Sequence, residues 1–133
     1  ASSFRRLINL AHIIVVDDDQ ITLELLQLIL DEFIDGTIST FGGGTEAIEY
    51  LKNNDVNNID LVICDWQMPK HDGLQVLAAL REKTQDVPFL MLTGNATREL
   101  VIAARKAGAS EFIAKPFKNR DLTEKVNRLL GDS

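Results

Sequence analysis

The stretch Leu61-Val62-Ile63-Cys64-Asp65-Trp66-Gln67-Met68-Pro69 reveals more about this protein than any other segment of its sequence. Four apolar residues lead directly into the carboxylate of Asp65, and Pro69 prevents a simple continuation of a strand. An apolar segment without polar alternation is typical of a strand that is covered on both faces of a parallel sheet. The stretch therefore predicts a buried strand whose end brings Asp65 to the edge of a sheet.

The length and composition fit one domain. The chain has 133 residues, of which 45% are hydrophobic, which is enough for one core but too short for two ordinary domains. The formal net charge of -6 disfavours direct binding of nucleic acid. The single cysteine, Cys64, fits a reducing compartment, and we expect a cytoplasmic location. No apolar stretch approaches the roughly 20 residues of a membrane span, and the N-terminus lacks a secretory signal.

Short β-type segments alternate with longer helical patterns along the chain. The patterns predict five strands, over residues 12–16, 37–41, 59–64, 87–92 and 111–114. They predict five helices, over residues 20–33, 45–52, 72–80, 97–106 and 119–130, with a break at Gly36. This alternation favours an α/β fold with a parallel sheet and helices on both of its faces.

Residues that can carry chemistry follow four of the predicted strands. Asp17 and Asp18 follow the first strand, Asp65 the third, Thr93 the fourth and Lys115 the fifth. Ligands of such sheets bind outside the carboxyl ends of the strands, which lie at one edge. We therefore expect three carboxylates, one hydroxyl and one ammonium group to meet there.

Three neighbouring carboxylates repel one another and require either protons or a cation. A like-charged pair at about 4 Å costs roughly 4 kcal/mol at an effective dielectric constant near 20. Carboxylate oxygens and water suit Mg²⁺, which commonly bridges carboxylates to phosphoryl groups. Asp65 could then form an acyl phosphate, while Thr93 and Lys115 bind phosphoryl oxygens. His12 and His71 are far apart in the sequence and lack cysteine partners, so a zinc site is not indicated.

In its order and spacing, this set of residues resembles the response regulator receiver domain of two-component signalling, which has the CheY-like fold. The matching segments are residues 13–19, 61–69, 72–73, 88–94, 107–109 and 115–117. The similarity covers residues 11–130, which we expect to be one receiver domain. Residues 1–10 would be an N-terminal extension or a remnant of cloning, and residues 131–133 a C-terminal tail. The resemblance implies a doubly wound, flavodoxin-like (βα)5 fold with a five-stranded parallel sheet in the order 2-1-3-4-5.

The resemblance also implies a phosphoacceptor and a metal site. Asp65 would accept a phosphoryl group from a phosphohistidine on a sensor histidine kinase or a histidine phosphotransfer domain. Mg²⁺, for which Mn²⁺ is an expected substitute, would be held by Asp17, Asp18, Asp65 and the backbone carbonyl of Gln67. Such a domain is not an enzyme for other substrates, although it assists its own phosphorylation and dephosphorylation.

Several further residues match the switch and tuning positions of the family. Thr93 and Lys115 would bind phosphoryl oxygens, and the peptide bond between Lys115 and Pro116 is expected to be cis. Phe112 occupies the aromatic switch position. Gln67 and Asn95 occupy positions that tune the lifetime of the acyl phosphate, and Gly94 is the small residue expected beside the phosphoryl group.

The expected output is a change in the face formed by the fourth helix, the fifth strand and the fifth helix. Phosphorylation would alter the affinity of this face for an output partner or for a second copy of the chain. Two alternatives remain open. A degenerate receiver would bind partners without phosphorylation, but the complete set of site residues disfavours it. A small Mg²⁺-dependent phosphohydrolase would use Asp65 as its nucleophile, but dehalogenase-type phosphatases have an acid at the position of Gln67.

The first predicted helix contains more apolar residues than one face requires. Asp19 is its expected N-cap, which leaves Asp17 and Asp18 available for other roles. The residues at regular helical spacing are Ile21, Leu25, Leu28, Ile29 and Phe33. The additional residues are Leu23, Leu26 and Leu30, for which core packing is the simpler interpretation. Alternatively, the start of the helix, with Gln20, Ile21 and Glu24, contacts the helical bundle of a kinase.

Overall fold

Five strands and five helices alternate in the computed structural model, which describes residues 10–131. The strands are β1 (Leu10–Val16), β2 (Asp35–Phe41), β3 (Leu61–Asp65), β4 (Phe89–Thr93) and β5 (Glu111–Ala114). The helices are α1 (Gln20–Asp31), α2 (Gly44–Asn53), α3 (Gly73–Arg81), α4 (Arg98–Lys106) and α5 (Asn119–Leu129). A short 3-10 helix, Val56–Asn58, precedes β3. None of the described helices is long and apolar enough to cross a membrane.

The strands form one parallel sheet in the order β2-β1-β3-β4-β5, which confirms the expected fold. The ends of the strands differ slightly from the sequence prediction. β1 begins at Leu10, two residues earlier than predicted, and β3 and β4 begin two residues later. Asp65 and Thr93 are the last residues of β3 and β4, so backbone pairing within the sheet fixes their positions. The expected N-terminal extension up to residue 9, and residues 132–133 of the tail, lie outside the described residues.

Each face of the sheet carries one hydrophobic layer. Ile13 and Val15 of β1 point to the layer that contains the buried residues of α1 and α5. Ile14 and Val16 point to the opposite layer, with α2, α3 and α4. Every residue of β3 and β4 is buried, as the apolar sequence of these strands predicted.

Gly36 was predicted to break the chain before the second strand, and this prediction is wrong. Gly36 lies inside β2 and pairs in register with Ala11 of β1. Its φ angle is +140°, and a Cβ atom at this position would lie 2.1 Å from the Ala11 carbonyl oxygen. Glycine is therefore required by the close approach of two strands and does not end one of them.

Helix α1 settles the question of its surplus apolar residues. The residues that it buries are Leu23, Leu26, Ile29 and Leu30, so the core interpretation of the additional leucines is confirmed. Three residues of the regularly spaced set are exposed instead, with exposed fractions of 76% for Ile21, 45% for Leu25 and 65% for Leu28. We call these three residues the α1 stripe.

Candidate functional site

The buried polar side chains lie at one edge of the sheet. Among residues 10–131, the buried polar or charged residues are Asp17, Asp65 and Thr93, with exposed fractions of 0%, 6% and 1%. They stand at the carboxyl ends of β1, β3 and β4, which are the three central strands. Because burying polar groups is unfavourable, their concentration at the expected ligand-binding edge indicates a functional site.

Lys115 joins this group from the end of β5. Its Nζ atom lies 2.9 Å from Asp17 Oδ2 and 2.9 Å from Asp65 Oδ1. Its backbone amide donates to the Thr93 carbonyl oxygen at 2.7 Å, and its peptide bond to Pro116 is cis. The sheet thus brings together four strand ends that are far apart in the sequence.

Three carboxylates form a compact cluster that could hold a metal ion. One oxygen each from Asp17, Asp18 and Asp65 lies within 4.8 Å of the other two. Asp19 has a different role, because it is the N-cap of α1 and its side chain accepts a hydrogen bond from Thr22 Oγ1 at 2.7 Å. This bond lowers the pKa of Asp19. The predicted N-cap role of Asp19 is therefore confirmed, and Asp17 and Asp18 lie together in the carboxylate cluster.

The electrostatics of the cluster leave a negative charge to be balanced. Burial raises the pKa of Asp65, the hydrogen bond from Lys115 opposes this effect, and the charge of Asp17 adds to it. Burial alone would lower the pKa of Lys115, but its hydrogen bonds to Asp17 and Asp65 outweigh that effect and the pKa is raised. Three carboxylates and one ammonium group sum to a net charge of -2. Hard oxygen ligands with this charge fit a divalent cation such as Mg²⁺ or Mn²⁺.

The predicted tuning positions follow the ends of β3 and β4 in the chain and lie at the surface. Gln67, Gly94 and Asn95 are all exposed. A Cβ atom at Gly94 would have no neighbouring atom within 4 Å, so the space beside Thr93 is open. The Thr93 hydroxyl oxygen accepts a hydrogen bond from the backbone amide of Asn95 at 3.0 Å. The hydroxyl proton of Thr93 can be donated to another group. The effects of these three residues on an acyl phosphate, and the metal contact of the Gln67 carbonyl, remain predictions.

Phe112 lies three residues before Lys115 in the chain. It lies in β5, is half-buried and packs against the hydrophobic layer beneath α3 and α4. It pairs in register with Met91 of β4, whose strand ends at Thr93. Thr93 and Phe112 thus lie on neighbouring strands, and the switch role of Phe112 remains a prediction.

Cys64 is next to Asp65 but does not contribute a reactive thiolate. Its side chain is completely buried, and burial together with the charges of Asp65 and Asp17 raises the pKa of the thiol. The Sγ atom donates a hydrogen bond to the Asp65 carbonyl oxygen at 3.2 Å. The nucleophile that the site offers is therefore a carboxylate oxygen.

One contact near the site had no counterpart in the sequence prediction. Thr45 Oγ1 and His71 Nδ1 lie 2.8 Å apart and connect the start of α2 to the segment after Asp65. The sequence predicts no role at the site for Thr45, and for His71 it indicates only a poor zinc ligand. No periodicity or spacing in the sequence relates a threonine to a histidine 26 residues later.

Comparison with known proteins gives a consistent result. The family model described as the response regulator receiver domain matches residues 13–127. The response regulator SaeR of Staphylococcus aureus is 31% identical over 121 residues, which are 91% of this chain and 51% of SaeR. The chain therefore spans about half the length of this curated relative.

Solved structures agree with this match. A CheY-like receiver domain protein from Methanospirillum hungatei superposes with a TM-score of 0.82 at 27% identity, covering 91% of this chain and 94% of the other. A receiver domain protein from Clostridium thermocellum gives a TM-score of 0.82 at 31% identity with the same coverage.

Proposed function

Because this chain belongs to the response regulator receiver family and is the receiver domain of a two-component response regulator, we propose that it is switched by phosphorylation of Asp65. The observation that carries the proposal is the burial of Asp17, Asp65 and Thr93 beside Lys115 at one edge of the sheet. The phosphoryl donor would be a phosphohistidine of a sensor kinase or of a phosphotransfer domain. The domain assists this transfer and the later hydrolysis but does not turn over other substrates.

The proposed transfer exchanges one bond to phosphorus for another. An Asp65 carboxylate oxygen attacks the phosphorus atom in line with the bond to the donor histidine nitrogen, which breaks. The released imidazole takes up one proton from solvent, and Asp65 becomes an acyl phosphate. A divalent cation held by Asp17, Asp18, Asp65 and the carbonyl of Gln67 would neutralise charge on the phosphoryl oxygens.

Lys115 and Thr93 are suited to hold the transferred group. Lys115 already contacts an Asp65 oxygen at 2.9 Å, so it could bond a phosphoryl oxygen attached there. The Thr93 hydroxyl has a free proton for a second phosphoryl oxygen. In the unphosphorylated domain, Lys115 partly offsets the repulsion among the carboxylates and holds Asp65 close to Asp17.

The α1 stripe supports a partner with a helical surface. Ile21, Leu25 and Leu28 are exposed at a spacing that places them along one side of α1. Ile21 lies two residues after Asp19, close to the acidic edge. We expect Ile21→Ala to slow transfer from autophosphorylated sensor kinases, tested as a panel, while labelling by acetyl phosphate stays unchanged. Equal loss in both assays would contradict a docking role.

The proposed output surface consists of α4, β5 and α5. Movement of Thr93 toward a phosphoryl group would free space for Phe112 and favour another arrangement of this surface. The consequence would be altered affinity for an output partner or for a second copy. Sedimentation velocity with and without acetyl phosphate and Mg²⁺ would test the homodimer directly.

Intact mass spectrometry tests the central proposal. We expect incubation with acetyl phosphate and Mg²⁺ to give one labile phosphoryl adduct, which EDTA and Asp65→Asn each abolish. Asp35→Asn, the same chemical change at an exposed strand position, is the matched control and should keep the adduct. A folded protein without any adduct would favour a binding-only receiver. Sustained hydrolysis of p-nitrophenyl phosphate would favour a hydrolase.

A further inference from the structure

The segment 66–72 connects the acceptor strand to α3 and is fixed at both ends. The Trp66 amide donates to the Leu92 carbonyl at 2.8 Å, and the Trp66 carbonyl accepts from the Gly73 amide at 2.7 Å. Between these anchors, Lys70 has a φ angle of +68°, which is uncommon for a residue with a side chain. Such a conformation persists only where its surroundings hold it. Part of this support comes from Met68, which is buried in the core, and from the His71 amide, which donates to the Pro69 carbonyl at 2.7 Å; the rest must come from another part of the molecule.

Helix α2 provides this support. Thr45 Oγ1 and His71 Nδ1 form a partly buried hydrogen bond of 2.8 Å. The His71 carbonyl oxygen would lie 2.2 Å from a Cβ atom at Gly44, so the first turn of α2 touches the backbone of the segment. Buried Ala47 and Leu51 fix α2 to the sheet. Within residues 10–131, no other side-chain hydrogen bond joins segment 66–72 to an earlier element.

We propose that Thr45 and His71 are positioning residues for the cation site. This inference rests on the proposed function, in which the Gln67 carbonyl is a ligand of the cation. Gln67 lies in the same segment as His71, so the Thr45–His71 bond holds the Gln67 carbonyl in place by holding that segment. Mg²⁺ requires nearly ideal octahedral geometry, so a small displacement of one ligand weakens binding. Loss of one neutral hydrogen bond corresponds to about a two- to tenfold change in an equilibrium constant. The pair therefore sets the cation affinity of the acidic cluster from outside the ligand set.

A purely structural role makes a different prediction. If the bond only stabilised the fold, its loss would lower the melting temperature and leave the affinity for Mg²⁺ unchanged. A positioning role instead changes the affinity, because the segment samples other conformations when the bond is absent. It also makes the hydrogen-bonded backbone amides of residues 71 and 73, which donate to the Pro69 and Trp66 carbonyl oxygens at 2.7 Å, exchange faster in metal-free protein.

Four substitutions separate the two roles. Thr45→Val removes the hydroxyl at constant shape, and Thr45→Ser retains it. His71→Asn retains a polar atom near the Nδ1 position, whereas His71→Gln places its polar atoms near the Nε2 position. The dissociation constant for MgCl2 is measured through the fluorescence of Trp66, which is the single tryptophan and adjoins Asp65. Amide hydrogen exchange in EDTA and the melting temperature are measured in parallel.

We expect Thr45→Val and His71→Gln to raise the dissociation constant about two- to tenfold and to accelerate exchange of the amides of residues 71 and 73. Thr45→Ser and His71→Asn should stay close to the wild type in both measurements. Equal dissociation constants for the valine and serine variants would overturn the proposal, whatever their melting temperatures; if the valine variant does not fold, the glutamine and asparagine pair gives the same decision. These measurements need no phosphorylation, so a missing acetyl phosphate adduct would refute the proposed function alone. A wild-type protein that does not bind Mg²⁺ would refute both.

Discussion

Replacement of Asp65 by asparagine should stabilise the metal-free domain although it removes the proposed phosphoacceptor. Asp65 is 6% exposed and belongs to a cluster in which three carboxylates offer oxygens within 4.8 Å of one another. The amide of asparagine has nearly the same shape, so the substitution removes charge without opening a cavity. Because the pKa of Asp65 is raised, its charged form is less favourable in the folded domain than in the unfolded chain.

The magnitude follows from the distances. The carboxylate oxygens lie within 4.8 Å of one another, and at this upper limit each like-charged pair costs about 3.5 kcal/mol at an effective dielectric constant near 20. The attraction between Asp65 and Lys115 at 2.9 Å offsets about 5.7 kcal/mol of the two repulsions. The remainder of about 1 kcal/mol, to which burial adds, opposes ionisation of Asp65. We therefore expect a gain of about 1–2 kcal/mol, or about 3–7 °C in melting temperature for a domain of this size.

Thermal denaturation in EDTA and in excess MgCl2 tests this expectation. In EDTA, Asp65→Asn should melt above the wild type, and Asp35→Asn should stay within about 0.5 kcal/mol of it. Excess Mg²⁺ stabilises the form that binds it, so the advantage of Asp65→Asn should shrink or reverse. A variant that melts below the wild type in EDTA would refute the assignment of uncompensated charge to this cluster.

Three further predictions concern the site and the fold. Because the pKa of Asp65 is raised above 3.8, protons should compete with Mg²⁺ at a higher pH than at an ordinary aspartate; Trp66 fluorescence titrations from neutral pH to about pH 5 should show falling affinity. Gly36→Ala should lower the free energy of unfolding by about 2–4 kcal/mol in urea titrations, since its Cβ atom would meet the Ala11 carbonyl oxygen; an unchanged midpoint would contradict the strand geometry. Leu26→Ala should cost about 2–5 kcal/mol in the same assay and Leu28→Ala less than about 0.5 kcal/mol, and similar losses would contradict the orientation of α1.

The fold and the centre of the site could be predicted because both depend on one property of parallel sheets. Uniformly apolar strands such as β3 indicate burial on two faces, and the alternation of elements places all carboxyl ends at one edge. Asp17, Asp65, Thr93 and Lys115 follow directly from that rule once the strands are located. Errors of two residues at the starts of the strands did not affect the prediction of the site. The site residues lie at the opposite ends, which are marked by the first polar residue after each apolar segment.

The features that were mispredicted or missed depend on distances that no local pattern contains. Helix α1 has apolar residues on several sides, and only the connection from β1 determines that Leu26 faces the sheet while Leu28 faces solvent. Position 36 requires glycine because the backbone of Ala11 in the neighbouring strand approaches it closely. The bond between Thr45 and His71 joins two elements that meet only in the folded sheet.

The orientation of α1 has a consequence for how the domain would meet its phosphoryl donor. Two aspartates of the cation site, the Asp19 cap and the first residue of the α1 stripe follow one another within residues 17–21. The cap fixes the start of the helix relative to the acidic edge, and so it fixes Ile21 relative to Asp65. A partner that packs on the stripe would therefore approach the acceptor oxygen from a defined side. Under the proposed function, the exposed stripe would control which donor is accepted while the acidic cluster controls the chemistry, and substitutions could change one without the other.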